Sequence, residues 1–238
     1  MCLLLLSKGC SARYPIVLLH IRDEDPFRVT GPFVRHPDGS YYCKDGTAGG
    51  TAVCVNECGN FAALNNLHEP PAPEPISRGL AVVSAVQRPF ELPIDVHFSP
   101  FQMLCGSVLT CRLLIHSSLN GDSEREIQNG EFIVLGNRLS ESTARTEAGR
   151  ELLNQFVIDA DSMSQIKDRI CSAIPLLLPP SPHRVSCSRA QTLLIYDACT
   201  SNFSAEHRTI SWAEDGQPVF GLWTSFVFPL GSANQTVT

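Results

Sequence analysis

The chain has 238 residues, 43% of them hydrophobic and 18% charged, a composition typical of folded globular proteins that argues against disorder, collagen and coiled coil. Its 18 basic side chains are outnumbered by 24 acidic ones, which gives a net charge of −6, and nowhere do several Lys or Arg gather, so no nucleic-acid partner is expected. No apolar run reaches the roughly 18 to 20 residues that cross a bilayer, so no transmembrane segment is predicted.

The opening MCLLLLSKGC predicts a buried strand rather than a secretory signal. In a signal peptide, positive charge precedes an apolar segment of about 7 to 15 residues, whereas Lys8 follows a shorter run here. Ten cysteines without regular spacing in a chain of this length indicate free thiols in a reducing compartment rather than a disulfide scaffold. A cytoplasmic location is therefore predicted, and association with an organelle is left open.

Two hairpins are predicted in the first third of the chain. Residues 2–6 and the run YPIVLLHI at 14–21 are apolar and flank a turn-prone segment, so they should pair. The runs TAVCVN and NFAALNN, at 51–56 and 60–66, flank a short turn in the same manner. The polar, glycine-rich segment at 36–50 between the hairpins is expected to be irregular.

The remainder predicts helices between strands. Prolines exclude a helix from most of 68–79, and a helix is expected at 78–88. Two further helices carry apolar stripes at a spacing of three or four residues, Ala144, Ala148, Leu152 and Phe156 in one and Met163, Ile166, Ile170 and Ile174 in the other. Strands are expected at 108–118, 131–136, 190–199, 203–212 and 218–228. This order predicts an α+β fold of two packed sheets faced by helices, in one domain over residues 1–238.

Cys2 is the first candidate catalytic residue. If Met1 were removed, Cys2 would carry a thiol and a free α-amine, whose pKa of about 7.7 to 8.0 lets it take the thiol proton near neutral pH. Nucleophile and base would then belong to one residue. The alternative is that Cys2 is only the first residue of a strand, and position alone leaves both interpretations open.

Arg22 and Asp23 stand at the end of the strand expected to pair with the one that Cys2 begins. An arginine near a thiol favours the thiolate, and an aspartate can hold an α-amine by a charge-assisted hydrogen bond. Taken alone, the run Arg-Asp-Glu-Asp is typical of a solvated turn. Together with Cys2 it predicts a catalytic cluster at the open end of the first hairpin.

Short motifs in a common order carry a resemblance to a known family. They are Met1-Cys2, Arg22-Asp23-Glu24, Gly49-Gly50-Thr51, GNFAALNN at 59–66, Ser77-Arg78-Gly79, Gly136-Asn137 and SRAQTLLIYD at 188–197. Each motif is weak alone, but their order along nearly the whole chain resembles that of the NRDE proteins, also called the transport and Golgi organization protein 2 family, which are similar to N-terminal nucleophile hydrolases.

The resemblance implies a four-layer αββα sandwich of two mostly antiparallel sheets, and roles for six residues by analogy with bile-salt hydrolase and penicillin acylase relatives. Cys2 would attack a carbonyl, and Asp23 would orient its amine. Asn66 and Asn137 would donate hydrogen bonds to the oxyanion or to the substrate. Arg22 and Arg189 would set the electrostatics around the thiolate.

The sequence thus predicts a cysteine hydrolase or acyltransferase for a small-molecule, non-peptide amide, ester or thioester, with no cofactor. The alternative function is a non-catalytic protein that binds or traffics lipid or haem, since some members of the family are tied to membrane organisation. A protein that interacts through its proline-rich loop is a third interpretation. The oligomeric state is left open.

Three positions depart from the family pattern. Ile21 stands where the name motif has Asn, Ala52 replaces an aromatic residue after Gly-Gly-Thr, and Asn65 replaces a Thr before Asn66. Losing a polar residue and a ring near the expected pocket predicts a changed or relaxed choice of substrate while the nucleophile is kept.

Two other patterns have simpler explanations. Cys54 and Cys58 with Cys43 or His68 would make a zinc site, but no second close pair exists, and Cys54 lies in a predicted strand. His20 shares a strand face with Arg22, and the sequence favours a hydrogen-bonded core or rim histidine there over a catalytic base.

Overall fold

The computed structural model describes residues 2–68, 76–88, 98–118, 123–138, 143–157, 159–178 and 186–231. The proline-rich segment predicted as a loop therefore lies largely outside the described residues. The described helices are α1 (Arg78–Gln87), α2 (Ala144–Val157) and α3 (Met163–Leu177). The described strands are β1 (Leu3–Lys8), β2 (Ile16–Glu24), β3 (Thr30–Arg35), β4 (Ser40–Asp45), β5 (Val53–Asn56), β6 (Asn60–Asn66), β7 (Phe101–Ser107), β8 (Arg112–Ser117), β9 (Ser123–Glu126), β10 (Glu131–Leu135), β11 (Cys187–Asp197), β12 (Asn202–Trp212), β13 (Pro218–Phe220) and β14 (Thr224–Pro229).

The strands form two antiparallel sheets. The first sheet has the order β10-β1-β2-β11-β12-β13, and β14 also pairs with β12. The second sheet runs in the order β3-β4-β5-β6-β7-β8-β9. Both predicted hairpins are confirmed, because β1 pairs with β2 from Leu3↔Ile21 to Lys8↔Ile16 and β5 pairs with β6 around Val53↔Ala63.

Side-chain alternation along the strands explains the layers. In β1 and β2, Leu4 and Leu18 face the second sheet and pack in one buried cluster with Phe61. Their neighbours in the chain point to the opposite face of the sheet, where Leu5 packs in a cluster with Ile166 of α3. Helix α1 covers the outer face of the second sheet through a third cluster. The α+β fold and its αββα layering are therefore confirmed.

Strand predictions failed where the apolar pattern is weak or continuous. Strand β4 lies in the segment expected to be irregular, and β7, which was not predicted, is buried on both faces and shows no alternation. Residues 108–111 form a turn, so the strand predicted at 108–118 begins at Arg112. The closing run at 218–228 divides into β13 and β14.

The apolar stripe of α2 is shifted from the predicted one. Ala144 is exposed, while Gly149 and Leu153 are buried together with Phe156. A Cβ at Gly149 would lie 2.8 Å from Leu5 Cδ2, so the helix rests on β1 at the one position that has no side chain. The stripe of α3 is confirmed at its three isoleucines. Among the described residues, no helix has the length and apolarity to span a membrane.

Candidate active site

A cavity of about 230 Å³ lies between the two sheets, where β2, β4 and β6 end and α1 begins. Residues of both sheets line the cavity. Its lining includes three arginines, Arg22, Arg28 and Arg78. Cys2 lies in its wall directly before β1. The structure thus brings the N-terminal thiol and the Arg-Asp-Glu motif to one cavity, as the sequence predicts.

Alternation in β2 separates the two charged residues of the motif. His20 and Arg22 share the face that carries Leu18 toward the second sheet, and both line the cavity. The carboxylate of Asp23 instead lies on the helix side, where Ser188 Oγ donates to its Oδ1 at 2.6 Å and both Nη atoms of Arg145 donate to its two oxygens. Asp23 therefore presents its backbone to Cys2.

The Cys2 thiol is half-buried and donates to the Asp23 carbonyl oxygen at 3.6 Å. Burial, together with the negative charge of Asp23, raises the pKa of Cys2 above its ordinary value, although Arg22 acts in the opposite direction. The arginine is thus outweighed, and the thiol is neutral at physiological pH. Such a thiol becomes a nucleophile only when a base removes its proton.

Arg22 links the ends of three strands at the cavity wall. Its guanidinium donates to Thr30 Oγ1, Glu24 Oε2 and Asp45 Oδ2 at 3.1 to 3.2 Å. Arg28 binds both oxygens of Asp45, at 2.7 and 3.0 Å. Burial alone would raise the pKa of Asp45, but the hydrogen bonds from Arg28 and from backbone amides lower it, so this carboxylate stays ionised.

The two predicted oxyanion donors occupy different positions. Asn66, at the end of β6, is exposed and lines the cavity. Asn137 is buried, is not part of the cavity wall, and donates from Nδ2 to the Asn66 carbonyl oxygen at 2.6 Å. The structure therefore places Asn66 where it can reach a ligand and Asn137 behind it, as a support for its backbone.

Arg189 does not line the cavity. It lies at an irregularity in the pairing of β11 with β2 and donates to the Pro26 carbonyl oxygen. In the structure it anchors the loop after β2, and its predicted electrostatic role remains a prediction.

The departure at position 65 has a structural explanation. Asn65 is fully buried, and its Nδ2 donates to Leu135 O at 2.8 Å, which ties β6 to the end of β10 in the other sheet. Its Oδ1 and the Leu64 carbonyl oxygen meet His20 Nε2 at 3.1 and 3.2 Å. His20 is thus buried and hydrogen-bonded, as predicted for a core or rim histidine, and burial lowers its pKa to about 4.

Comparison with known families identifies the chain. The family described as Transport and Golgi organisation 2 matches residues 1–178. The chain belongs to this family. The resemblance drawn from the short motifs is thereby confirmed, whereas no curated protein sequence matches the chain significantly.

Two solved structures are similar to this member of the Transport and Golgi organisation 2 family. A Caenorhabditis elegans orthologue of N-acylethanolamine-hydrolyzing acid amidase has a TM-score of 0.50 and 11% identity, over 82% of this chain and 92% of that one. A C2A mutant of conjugated bile acid hydrolase from Clostridium perfringens has a TM-score of 0.48 and 9% identity, over 95% and 96%. At this identity, the likeness to the nematode protein shows the N-terminal nucleophile hydrolase fold alone.

Two of the family motifs meet at the cavity wall through their backbones. A Cβ at Gly50 would lie 2.3 Å from the Gly79 carbonyl carbon, and one at Gly79 would lie 2.5 Å from Thr51 N. Thr51 N also donates to Gly79 O at 3.2 Å. Glycine is required at both positions because only a hydrogen atom fits there.

Sequence reasoning missed three groups of the site. Arg145 comes from α2, more than a hundred residues from Asp23, and no local pattern marks it. Arg78 was noted only as part of a motif, yet it lines the cavity. Cys43 and His207, also in the wall, lie 3.3 Å apart from Sγ to Nε2, and only the packing of β4 against β12 brings them together.

The hydrogen-bonding and stacking partners of His207 are neutral groups. His207 Nδ1 lies 3.0 Å from Thr192 Oγ1, and its ring stacks on Phe33 with 5.2 Å between centroids. Burial lowers the pKa of His207 to about 4 and raises the pKa of Cys43 to about 12. Within the described ranges, no group of three or more His, Cys, Asp or Glu is placed to hold a metal ion.

Proposed function

We propose that this protein is a cysteine N-terminal nucleophile hydrolase or acyltransferase that acts on a small-molecule, non-peptide amide, ester or thioester. Cys2 is the nucleophile after removal of Met1. The observation that carries the proposal is that Cys2 lines the inter-sheet cavity beside Arg22 and Asn66, in a fold of the N-terminal nucleophile hydrolase type.

Because its pKa is raised, the Cys2 thiol needs a base to become a nucleophile, and we assign that role to the α-amine of the same residue. Once freed, the α-amine takes the thiol proton as sulfur attacks the substrate carbonyl, and the carbonyl electrons move to oxygen. The Asn66 amide donates to that oxyanion. The amine returns the proton to the leaving nitrogen, oxygen or sulfur, and an acyl thioester remains on Cys2.

Water or a second nucleophile completes the reaction. The amine takes a proton from the acceptor as it attacks the thioester carbonyl, and the thiolate leaves and is reprotonated. Hydrolysis and acyl transfer thus differ only in the acceptor. The nematode protein is, by its name, an amidase that hydrolyses N-acylethanolamines, which supports testing amides first.

Intact mass and acylation test the proposal together. Protein purified from its native source should lack Met1, and p-nitrophenyl acetate should release about one equivalent of p-nitrophenol in a burst and leave one acetyl group on the peptide that begins at Cys2. The Cys2→Ala variant, with an unchanged circular dichroism spectrum, should show no burst.

A retained burst in Cys2→Ala would refute the catalytic assignment. A native protein that keeps Met1 would do the same, because its first peptide bond blocks the base. If Cys2→Ala binds lipid or haem as the wild type does and neither protein turns over any acyl substrate, the alternative of a binding or trafficking protein is favoured.

A further inference from the structure

The carboxylates in the cavity wall have matched cations. Asp23 is bound by Arg145, and Asp45 is bound by both Arg22 and Arg28. Glu24 accepts from Arg22 at 3.2 Å and lies 3.9 Å from Arg28. These ion pairs use the guanidinium groups of Arg22, Arg28 and Arg145. The negative charges of the three carboxylates are therefore balanced by arginines of the protein itself.

Arg78 differs from these three arginines. Arg78 lines the cavity and is half-buried, and its Nη1 donates to the Pro100 carbonyl oxygen at 3.0 Å. It forms no ion pair with any carboxylate in the described parts of the chain. Burial lowers the pKa of Arg78. Arg78 and Cys2 line the same cavity.

The start of α1 adds to the same positive field. Ser77, Arg78 and Gly79 all line the cavity, so the N-terminal turn of this ten-residue helix opens onto it. That turn has no acidic side chain and no side-chain cap. Backbone N–H groups at a helix start favour anions, and a partly desolvated arginine is suited to oxyacid groups through its planar fork.

We infer that Arg78 recognises an anionic oxyacid group, a carboxylate or a phosphate, on the substrate that Cys2 attacks. The inference rests on the proposed function and adds the chemical class of the substrate. An anion at this position would complete the charge balance of the cavity and would hold the reacting carbonyl near the Cys2 sulfur.

Paired alkylating reagents test the inference at Cys2 itself. Iodoacetate and iodoacetamide both form a C–S bond as iodide leaves and the thiol proton passes to a base, but only iodoacetate carries a carboxylate. The iodoacetate-to-iodoacetamide rate ratio, measured by peptide mass at Cys2, should exceed the ratio at exposed Cys58 in the same molecule by about tenfold. Arg78→Gln should bring the two ratios within about twofold of each other.

Arg28→Gln is the matched control, since it removes the same charge from the same cavity wall but from a group that Asp45 already engages. It should leave the ratio at Cys2 within about twofold of the wild-type value, and Arg78→Lys should restore part of the preference that Arg78→Gln loses. An equal loss in Arg28→Gln and Arg78→Gln would overturn the specific role of Arg78 and indicate a diffuse field.

A binding measurement separates this inference from the catalytic proposal. Calorimetry with Cys2→Ser should detect benzoate or phenyl phosphate but not neutral benzamide, and adding Arg78→Gln should weaken binding by at least about tenfold. The tighter of the two anions identifies the oxyacid. If neither binds, or if Arg78→Gln leaves their affinity unchanged, the inference is wrong even where Cys2 is acylated. If Cys2 resists every electrophile but the anions bind through Arg78, the inference stands and the proposed nucleophile fails.

Discussion

The cavity has two thiols, and their surroundings differ. Cys43 has a histidine at hydrogen-bonding distance and an aromatic ring against that histidine. Cys2 has no imidazole partner in the described structure, and its neighbours are a backbone carbonyl and arginines. By residue type alone, Cys43 with His207 resembles the nucleophile and base of a cysteine enzyme more closely than Cys2 does.

The environment reverses that impression. A general base works best when its pKa lies near the operating pH, and burial holds His207 at a pKa of about 4. The Cys43–His207 pair is therefore a neutral hydrogen bond that joins the two sheets. Cys2 lies where charged groups surround the cavity and where removal of Met1 would supply a base with a suitable pKa. Burial thus deprives the Cys43–His207 pair of an effective base, and residue type alone does not identify a nucleophile.

The largest expected effect comes from removing each thiol in turn, which tests directly whether Cys2 or Cys43 is the nucleophile. Cys2→Ala should abolish acylation by p-nitrophenyl acetate, whereas Cys43→Ala should change the rate less than about threefold, because a neutral pair with a low-pKa imidazole supplies no base. Stopped-flow release of p-nitrophenol measures both rates. If Cys43→Ala loses the burst and Cys2→Ala keeps it, the assignments of the two thiols are exchanged.

The ion pair behind Cys2 should carry the next largest effect. Arg145→Met removes the cation that binds both oxygens of the buried Asp23 carboxylate and should lower the free energy of unfolding by about 3 to 5 kcal/mol. Urea unfolding measures the change. Asp23→Asn is then expected to destabilise the protein as well as to slow turnover.

The double variant Arg145→Met/Asp23→Leu tests the cause of that loss, since it removes both members of the buried pair. It should recover much of the lost stability, and a double variant as unstable as the sum of the single variants would contradict the buried pair.

Removing the Asn66 amide tests the difference between the two thiols further. Asn66 is the proposed oxyanion donor for a substrate that Cys2 attacks. Asn66→Ala should slow single-turnover acylation by about 10² to 10³ without changing the affinity for the probe. Asn137→Ala should have the smaller effect, since its side chain holds the Asn66 backbone rather than facing the cavity. A larger loss in Asn137→Ala would exchange the two roles.

The smallest expected effect concerns pH at the Cys43 end. Between pH 6.5 and about 4 the unfolded chain binds a proton at His207 that the folded protein rejects, so the free energy of unfolding falls as the pH drops through this window. The loss amounts to at most roughly 3.5 kcal/mol for this histidine, at about 1.4 kcal/mol per pH unit.

His207→Gln should reduce that slope by about half, since His20, with a pKa of about 4, contributes the other part. Urea unfolding at several pH values from 7 to 4 provides the measurement. A slope equal to that of the wild type would show that His207 titrates normally in the folded state.

Most of the fold could be predicted because its elements carry local patterns. The two hairpins, the three helices and the long strands β11 and β12 follow from apolar runs and turns. Strand β3 was missed because it is an edge strand with a Gly-Pro pair and little buried surface, and β4 because polar residues surround it. The shifted stripe of α2 follows from tertiary packing. Gly149 faces the sheet because Leu5 of β1 lies too close to leave room for a side chain at that position.

The site was predictable only where the motifs are local. Cys2 and Arg22 could be brought together because one hairpin joins them. Arg145 binds Asp23 from another layer. It could not be predicted, because the two residues are 122 positions apart and no local sequence pattern indicates the contact. The role predicted for Asp23, orienting the Cys2 α-amine, stays a prediction. The sequence did not indicate that the period of two in β2 turns the Asp23 carboxylate to the face where Arg145 binds it.

The contact between Gly50 and Gly79 limits how this pocket can change. Adding one methyl group at either position would push the first turn of the helix outward, and Arg78 would move with it, while the strands beneath stayed in place. The close approach of loop and helix at the cavity wall thus depends on having only hydrogen atoms at both positions. Variation among chains with this fold should therefore retune specificity by exchanging the rim side chains and leave the spacing between loop and helix intact.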